Sequence, residues 1–123
     1  MIETAEKIEH KSFSQPDEQR IFEKGKVDLV TVGDVTFGRA TLEPGWKWST
    51  CVKPIAQTKL CEASHLQLQL AGHLHVVMED GSEFESAPGD VVKIPPGHDA
   101  WVVGDEAFVA VDISGMHDYA KRS

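Results

Sequence analysis

Short runs of alternating apolar and polar residues, separated by turns rich in glycine and proline, make up most of the chain from Val27 onward. Alternation with a period of two is typical of β-strands that bury one face, and no run shows a convincing helical period. About nine such runs predict an all-β sandwich or small barrel. They are Val27–Val32, Val35–Leu42, Trp46–Ser49, His65–Leu70, Leu74–Met78, Ser82–Ser86, Val91–Ile94, Ala100–Gly104 and Ala107–Ile113.

The run from His65 to Leu70 alternates strictly, with three leucines on one face and His65, Gln67 and Gln69 on the other. Two arrangements fit this pattern. Either the leucines fill the interior and the polar row faces solvent, or the polar row lines a cavity. Buried glutamines need hydrogen-bond partners, so in the second arrangement they would contact a ligand or each other.

Residues 1–26 are polar, with apolar residues only at scattered positions such as Phe13 and Phe22. We interpret this segment as an N-terminal arm that docks on the barrel or on a partner subunit, and residues 27–123 as the barrel domain. The apolar residues of the arm have no obvious place inside one barrel. We therefore expect a homodimer, which would also cover exposed strand edges.

The formal net charge of −8 argues against nucleic acid or an anionic membrane as a partner, since both attract basic surfaces. The N-terminal residues lack the apolar region of a secretory signal, and no apolar run approaches the length of a membrane span. The two cysteines, Cys51 and Cys61, do not form a disulfide framework. The expectation is a cytoplasmic protein in which both are thiols.

The spacing of glycines and prolines resembles the two sequence motifs of the cupin superfamily. Gly45 is followed by five residues, six residues precede Gly72, and Gly89 is followed by five residues and then Pro95-Pro96-Gly97. The resemblance covers roughly residues 27–113. It implies a cupin-type jelly-roll barrel of two antiparallel sheets, with the polar row of His65 facing inward, where cupins place a glutamate ligand.

The resemblance also implies positions for a metal, which cupins hold with three histidines and one glutamate. Here the His-x-His slot holds Cys51-Val52-Lys53, the glutamate slot holds His65, and the last histidine slot holds Ala100. Cys51, His65 and His98 are the candidate ligands, with Cys61 as a further one, and the candidate metals are zinc and iron. Cysteine and histidine are ordinary zinc ligands, whereas lysine and alanine are not.

Other residues gain two possible roles each from the barrel interpretation. Lys53 is a surface residue or an inward cation that acts with His65 in catalysis. Trp48 and Trp101, and with them Trp46, are packing residues or part of the wall of a ligand pocket. The pocket would also include Gln67, Gln69 and His98.

Four further residues complete the candidate chemistry. His73 and His75 are expected to be exposed, because Leu74 and Val76 are better core candidates. Asp99 and Asp112 either orient His98 or cap turns.

Three functions follow from these residues. The first is a cupin that binds a small polar organic molecule, with lyase or isomerase chemistry that uses His65 as acid and base. The second is a zinc- or iron-dependent cupin enzyme that uses Cys51, His65 and His98. The third is a dimeric module that senses a ligand without turnover.

Overall fold

The computed structural model describes residues 7–114 and contains two antiparallel sheets around one core. Nine strands and two helical turns occur among these residues. They are β1 (Glu18–Phe22), β2 (Gly25–Val32), β3 (Val35–Leu42), α1 (Trp48–Cys51), α2 (Lys53–Ala56), β4 (His65–Ala71), β5 (His73–Met78), β6 (Glu83–Ser86), β7 (Val91–Ile94), β8 (His98–Val103) and β9 (Phe108–Asp112). Within this part of the chain, no helix is long and apolar enough to cross a membrane.

The larger sheet has six strands in the order β1-β2-β3-β9-β4-β7, and the smaller one has three in the order β6-β5-β8. The chain passes from the first sheet to the second at Gly72, between β4 and β5. Gly72 has φ +76°, and a Cβ there would lie 2.5 Å from the carbonyl oxygen of Ala107. Only glycine fits so close an approach at a positive φ. The predicted jelly-roll barrel is confirmed.

Buried apolar side chains from both sheets meet in the core, including Val27 and Leu29 from the larger sheet and Leu74 and Ala100 from the smaller one. The hairpin predicted around Gly33 and Asp34 is present, with Val32 paired to Val35. Most of the other predicted strands are also present within one or two residues. The period-two pattern therefore located the strands of both sheets.

Two predictions about the first half of the chain differ from the structure. The predicted arm contains β1, which pairs with β2 from Glu18↔Leu29 to Phe22↔Gly25, so the division at residue 26 falls inside β2. The predicted strand Trp46–Ser49 is instead an isolated bridge at Lys47 followed by α1. The carboxylate of Asp99 accepts a hydrogen bond from the backbone N–H of Ser49, which stabilises this first helical turn.

Candidate metal centre in the barrel

The polar row of β4 faces the interior of the barrel. His65 and Gln67 are each 5% exposed and Gln69 is fully buried, whereas the leucines between them are 38–51% exposed. The polar row therefore faces inward, with His65 and Gln67 lining a cavity, and the arrangement with buried leucines is wrong. His65 lies at the start of the strand, where it pairs with Ile94 of β7.

A short backbone bridge brings Cys61 to the same end of the barrel. The N–H of Cys61 donates to the carbonyl of His98 at 2.8 Å, and the N–H of Gly97 donates to the carbonyl of Cys61 at 2.7 Å. Cys61 and His98 are each 3% exposed. A loop residue and the first residue of β8, far apart in sequence, are thus fixed next to each other.

Cys61, His65 and His98 form a compact cluster, in which one ligand atom of each lies within 4.8 Å of the others. The Sγ of Cys61 is 3.8 Å from the Nε2 of His65, and the two imidazole rings meet edge to face with centroids 5.3 Å apart. An ideal tetrahedral zinc site places sulfur and nitrogen ligands about 3.6 Å apart, from bond lengths of about 2.3 and 2.05 Å. The distance between Cys61 and His65 is close to that value.

Hydrogen bonds orient both histidines of the cluster. The Nδ1 of His65 lies 2.5 Å from the Oδ2 of Asp112, and the Nδ1 of His98 lies 2.8 Å from the carbonyl oxygen of Pro95. Both partners are acceptors, so each Nδ1 carries a proton, and in a neutral ring the Nε2 then carries the lone pair. Histidines that bind metals have this arrangement, with the second nitrogen held by a carboxylate or carbonyl.

Burial keeps the Cys61 thiol and the His98 imidazole neutral in the absence of a cation. Burial raises the pKa of the Cys61 thiol to about 11, and the carboxylates of Glu62, Asp99 and Asp112 act in the same direction. Burial also lowers the pKa of His98 to about 4. A nearby cation would favour the thiolate, the form that binds metals.

A cavity of about 30 Å³ lies beside the cluster. Its lining includes His65, Gln67, Trp48, Trp46 and His98. Within the described chain, the Nε1 of Trp46 and the Nε2 of Gln67 are buried without a hydrogen-bond partner. A larger hollow of about 150 Å³ between β6 and β7 has neither histidine nor cysteine in its wall.

Several residues predicted for the site lie elsewhere. Lys53 is exposed on α2 and does not face the cavity, because the Cys51–Lys53 segment spans α1 and α2, where inward alternation does not apply. Cys51 is buried but lies outside the cluster; its Sγ is 3.6 Å from the Oγ1 of Thr50. Trp101 faces outward, stacked on His75 at 4.7 Å.

Gln69 has a structural partner set, since its Nε2 donates to the carbonyls of Gly72 and Ser86, and it does not line the cavity. Of the other histidines, His73 is exposed and His75 is partly exposed. His117 lies outside the described residues. Asp112 holds His65 rather than His98, and Asp99 caps α1.

Sequence reasoning named Cys61 only as a further ligand and gave Trp46 no role of its own beside the other tryptophans. The bridge that positions Cys61 joins a loop to β8, and no local sequence pattern predicts such a pairing. The only available signal was residue type, a second cysteine four residues before His65.

Comparison with solved structures identifies the fold. A cupin-like protein from Thermotoga maritima is 19% identical, with a TM-score of 0.53, over 80% of this chain and 74% of the other. A protein of unknown function from Rhizobium leguminosarum is 18% identical, with a TM-score of 0.58, over 91% of this chain and 100% of the other.

Oxalate decarboxylase from Lactobacillus farciminis, as a formate complex, is 19% identical with a TM-score of 0.58 over 91% of this chain. This chain spans only 35% of that enzyme's length. No protein-family model and no curated protein matches the sequence. At these identities the comparisons establish the architecture alone: the chain has the fold of a small cupin domain.

Proposed function

We propose that this protein is a small-molecule-binding cupin in which Cys61, His65 and His98 hold one divalent transition metal beside the ligand cavity. One observation carries the proposal. Three buried side chains direct ligand atoms to a common region, and the two histidines are already held in the tautomer that binds a metal. Metal-binding histidines are typically held in this way, with a carboxylate or carbonyl on the second ring nitrogen.

The ligand types favour zinc over iron. Thiolate and imidazole are ordinary zinc ligands, and a catalytic zinc site has three protein ligands with one open position. Non-haem iron enzymes of the oxygenase type use two histidines and a carboxylate. The nearest carboxylate, Asp112, contacts His65 and accepts hydrogen bonds from the backbone N–H groups of Leu66 and Ser114.

The residues around the cluster have separate tasks in this proposal. A bound zinc ion supplies Lewis-acid chemistry and a position for water or substrate. Asp112 and the Pro95 carbonyl hold the two imidazoles in place, while Trp48 and Phe108 form part of the apolar wall of the cavity. Lyase or isomerase chemistry fits this arrangement, and a ligand sensor would use the same pocket without turnover.

A second function, acid–base chemistry without a metal, is favoured by the line from Cys61 through His65 to Asp112. Contacts of 3.8 and 2.5 Å resemble a nucleophile, a base and an orienting carboxylate. The raised pKa of Cys61 argues against it, because reactive cysteines have lowered pKa values and partial exposure. The role of Lys53 as a second catalytic group is not supported, since its side chain is exposed.

Elemental analysis of untagged protein, purified without chelator, tests the proposal. We expect close to one zinc per chain, and dialysis against a strong chelator should lower the melting temperature, because metal binding stabilises the folded state. A metal content below roughly 0.1 per chain, for a site expected to bind tightly, would favour the metal-free function.

A further inference from the structure

We infer that Trp46 and Gln67 form a two-donor subsite for the oxygen atoms of a short monocarboxylate that binds beside the metal cluster. This inference rests on the proposed function, because it takes the positive charge of the site from the metal. It goes further by assigning a ligand class and the residues that recognise it.

The two donor groups are unusual because they are buried without a hydrogen-bond partner. The side chains of Trp46 and Gln67 are 3% and 5% exposed, yet the indole N–H and the amide nitrogen have no hydrogen-bond partner among the described residues. Buried polar groups nearly always have a partner, so two such groups on one cavity indicate that something else occupies it. An indole nitrogen only donates, so the partner must supply an acceptor.

Both donors lie beside the proposed metal centre. Trp46 and Gln67 line the same cavity as His65 and His98, two of the three clustered ligands. An acceptor bound by the two donors is therefore adjacent to the metal centre. A carboxylate suits this place, because it has two oxygens with lone pairs in several directions.

The charge of the proposed site favours a ligand with a single negative charge. The cavity wall contains neither lysine nor arginine. A divalent metal with one thiolate and two neutral imidazoles carries one net positive charge, and the Asp112 carboxylate, which contacts the Nδ1 of His65, compensates this charge only at a distance. A single carboxylate neutralises that charge, whereas a dianion would leave an uncompensated negative charge that burial disfavours.

The volume of the cavity limits the size of the ligand. A cavity of about 30 Å³ has room for about two water molecules, so only the smallest carboxylates can enter it. The rest of the wall is largely apolar, including Leu74, Ala100 and Phe108. Formate and acetate meet the limits of size, charge and acceptor geometry together.

The test uses protein loaded with Co²⁺, whose visible spectrum reports changes at the metal. Titration with acetate should change the spectrum in a saturable way, whereas acetamide, its neutral isostere, should bind at least tenfold more weakly. Trp46→Phe and Gln67→Leu each remove a donor and leave the three metal ligands in place. Each should weaken acetate binding by about 10-fold or more, the usual effect of losing a hydrogen bond to a charged group.

Trp101→Phe is the matched control, since it makes the same change on the outer face and should alter acetate binding less than twofold. Normal Co²⁺ spectra with unchanged acetate affinity in both variants would overturn the donor subsite and leave the metal proposal intact. An acetate-insensitive wild-type spectrum, or equal affinity for acetamide, would also overturn it. Failure of the wild-type protein to bind Co²⁺ would overturn both proposals. The acetate–acetamide comparison needs no variant, so it decides the matter even if Trp46→Phe does not fold.

Discussion

Along β4, the side chains that face the barrel interior are polar, and those that face outward are leucines. The interior row also changes character along its length. Gln69 is held by two backbone carbonyls, His65 by Asp112, and Gln67 has an amide nitrogen without a partner. Burial of polar groups costs free energy unless they are paired. The comparison therefore separates a structural position, a proposed metal-ligand position and a proposed ligand-recognition position on one strand.

The outer face of the same strand has apolar side chains that are exposed to solvent. Leu68 lies between Val91 of β7 and Val111 of β9, so branched apolar side chains cross three adjacent strands. Leu68 and Val91 are 44% and 72% exposed. Apolar surface arranged in one patch is typical of an interface. We expect the second copy of the predicted homodimer to cover this face.

The largest expected effect is on zinc affinity, when each of the two cysteines is replaced by serine in a separate variant. Cys61→Ser should weaken zinc binding on the order of 1,000-fold, because a few ligands share the roughly 10–16 kcal/mol that structural zinc sites gain at neutral pH. Cys51→Ser changes an equally buried thiol outside the cluster and should bind zinc as the wild type does. Competition with a chromophoric chelator measures both. Loss of zinc from Cys51→Ser alone would restore the ligand set predicted from the sequence.

The metal-free protein should lose stability in acid through His98. Its pKa is about 4 in the folded state and about 6.5 when unfolded, so from pH 6.5 down to 4 only the unfolded state gains this proton. The free energy of unfolding should fall by about 3 kcal/mol more than in His98→Asn.

Urea unfolding of both proteins at pH 7 and pH 4, with chelator present, gives this difference. Carboxylates with lowered pKa values, such as Asp28, also destabilise the protein in acid, but they contribute equally to both. Equal losses in the two proteins would contradict the burial of a neutral His98.

A smaller effect is expected from Asp112→Asn. The variant keeps one oxygen for the backbone N–H groups but weakens the contact with His65, which should reduce zinc affinity by about 10–100-fold. Asp28→Asn is the control, because Asp28 is an equally buried carboxylate that contacts Gln19 and Arg39 instead. It should lower stability without changing zinc affinity. An equal loss of affinity in both variants would mean that Asp112 has only a structural role.

The smallest expected effect concerns the outer leucine face. Leu68→Lys should raise the dissociation constant of the homodimer by about tenfold, since it places a charge in an apolar interface. Val35→Lys replaces a side chain of the same 44% exposure in the β2–β3 hairpin and should leave the dimer unchanged. Sedimentation equilibrium compares the two. A wild-type monomer at micromolar concentration, or equal behaviour of the variants, would exclude this face as the interface.

Strand positions could be predicted from the sequence because alternation is a local signal. The same signal placed His65 and Gln67 on one face, and the cupin resemblance turned that face inward. It missed β1, where the inward residues are Arg20 and Phe22 and the outward ones include Ile21, so apolar content does not mark the buried face.

The three residues of the proposed metal cluster were harder to predict for two physical reasons. Counting along the motif assigned Cys51 and Lys53 to inward positions of a strand, but the segment folds into helical turns. Cys61 reaches the cluster through a pairing with His98, 37 positions away, which depends on the closed barrel. Long-range contacts of this kind leave no periodic pattern in the sequence.

X-ray absorption at the metal edge of untagged, as-purified protein tests the central claim most directly. The account predicts one sulfur at about 2.3 Å and two imidazole nitrogens at about 2.0–2.1 Å around the metal, with the sulfur absent from any metal retained by Cys61→Ser. A first shell without sulfur, or one that keeps its sulfur in that variant, would contradict it.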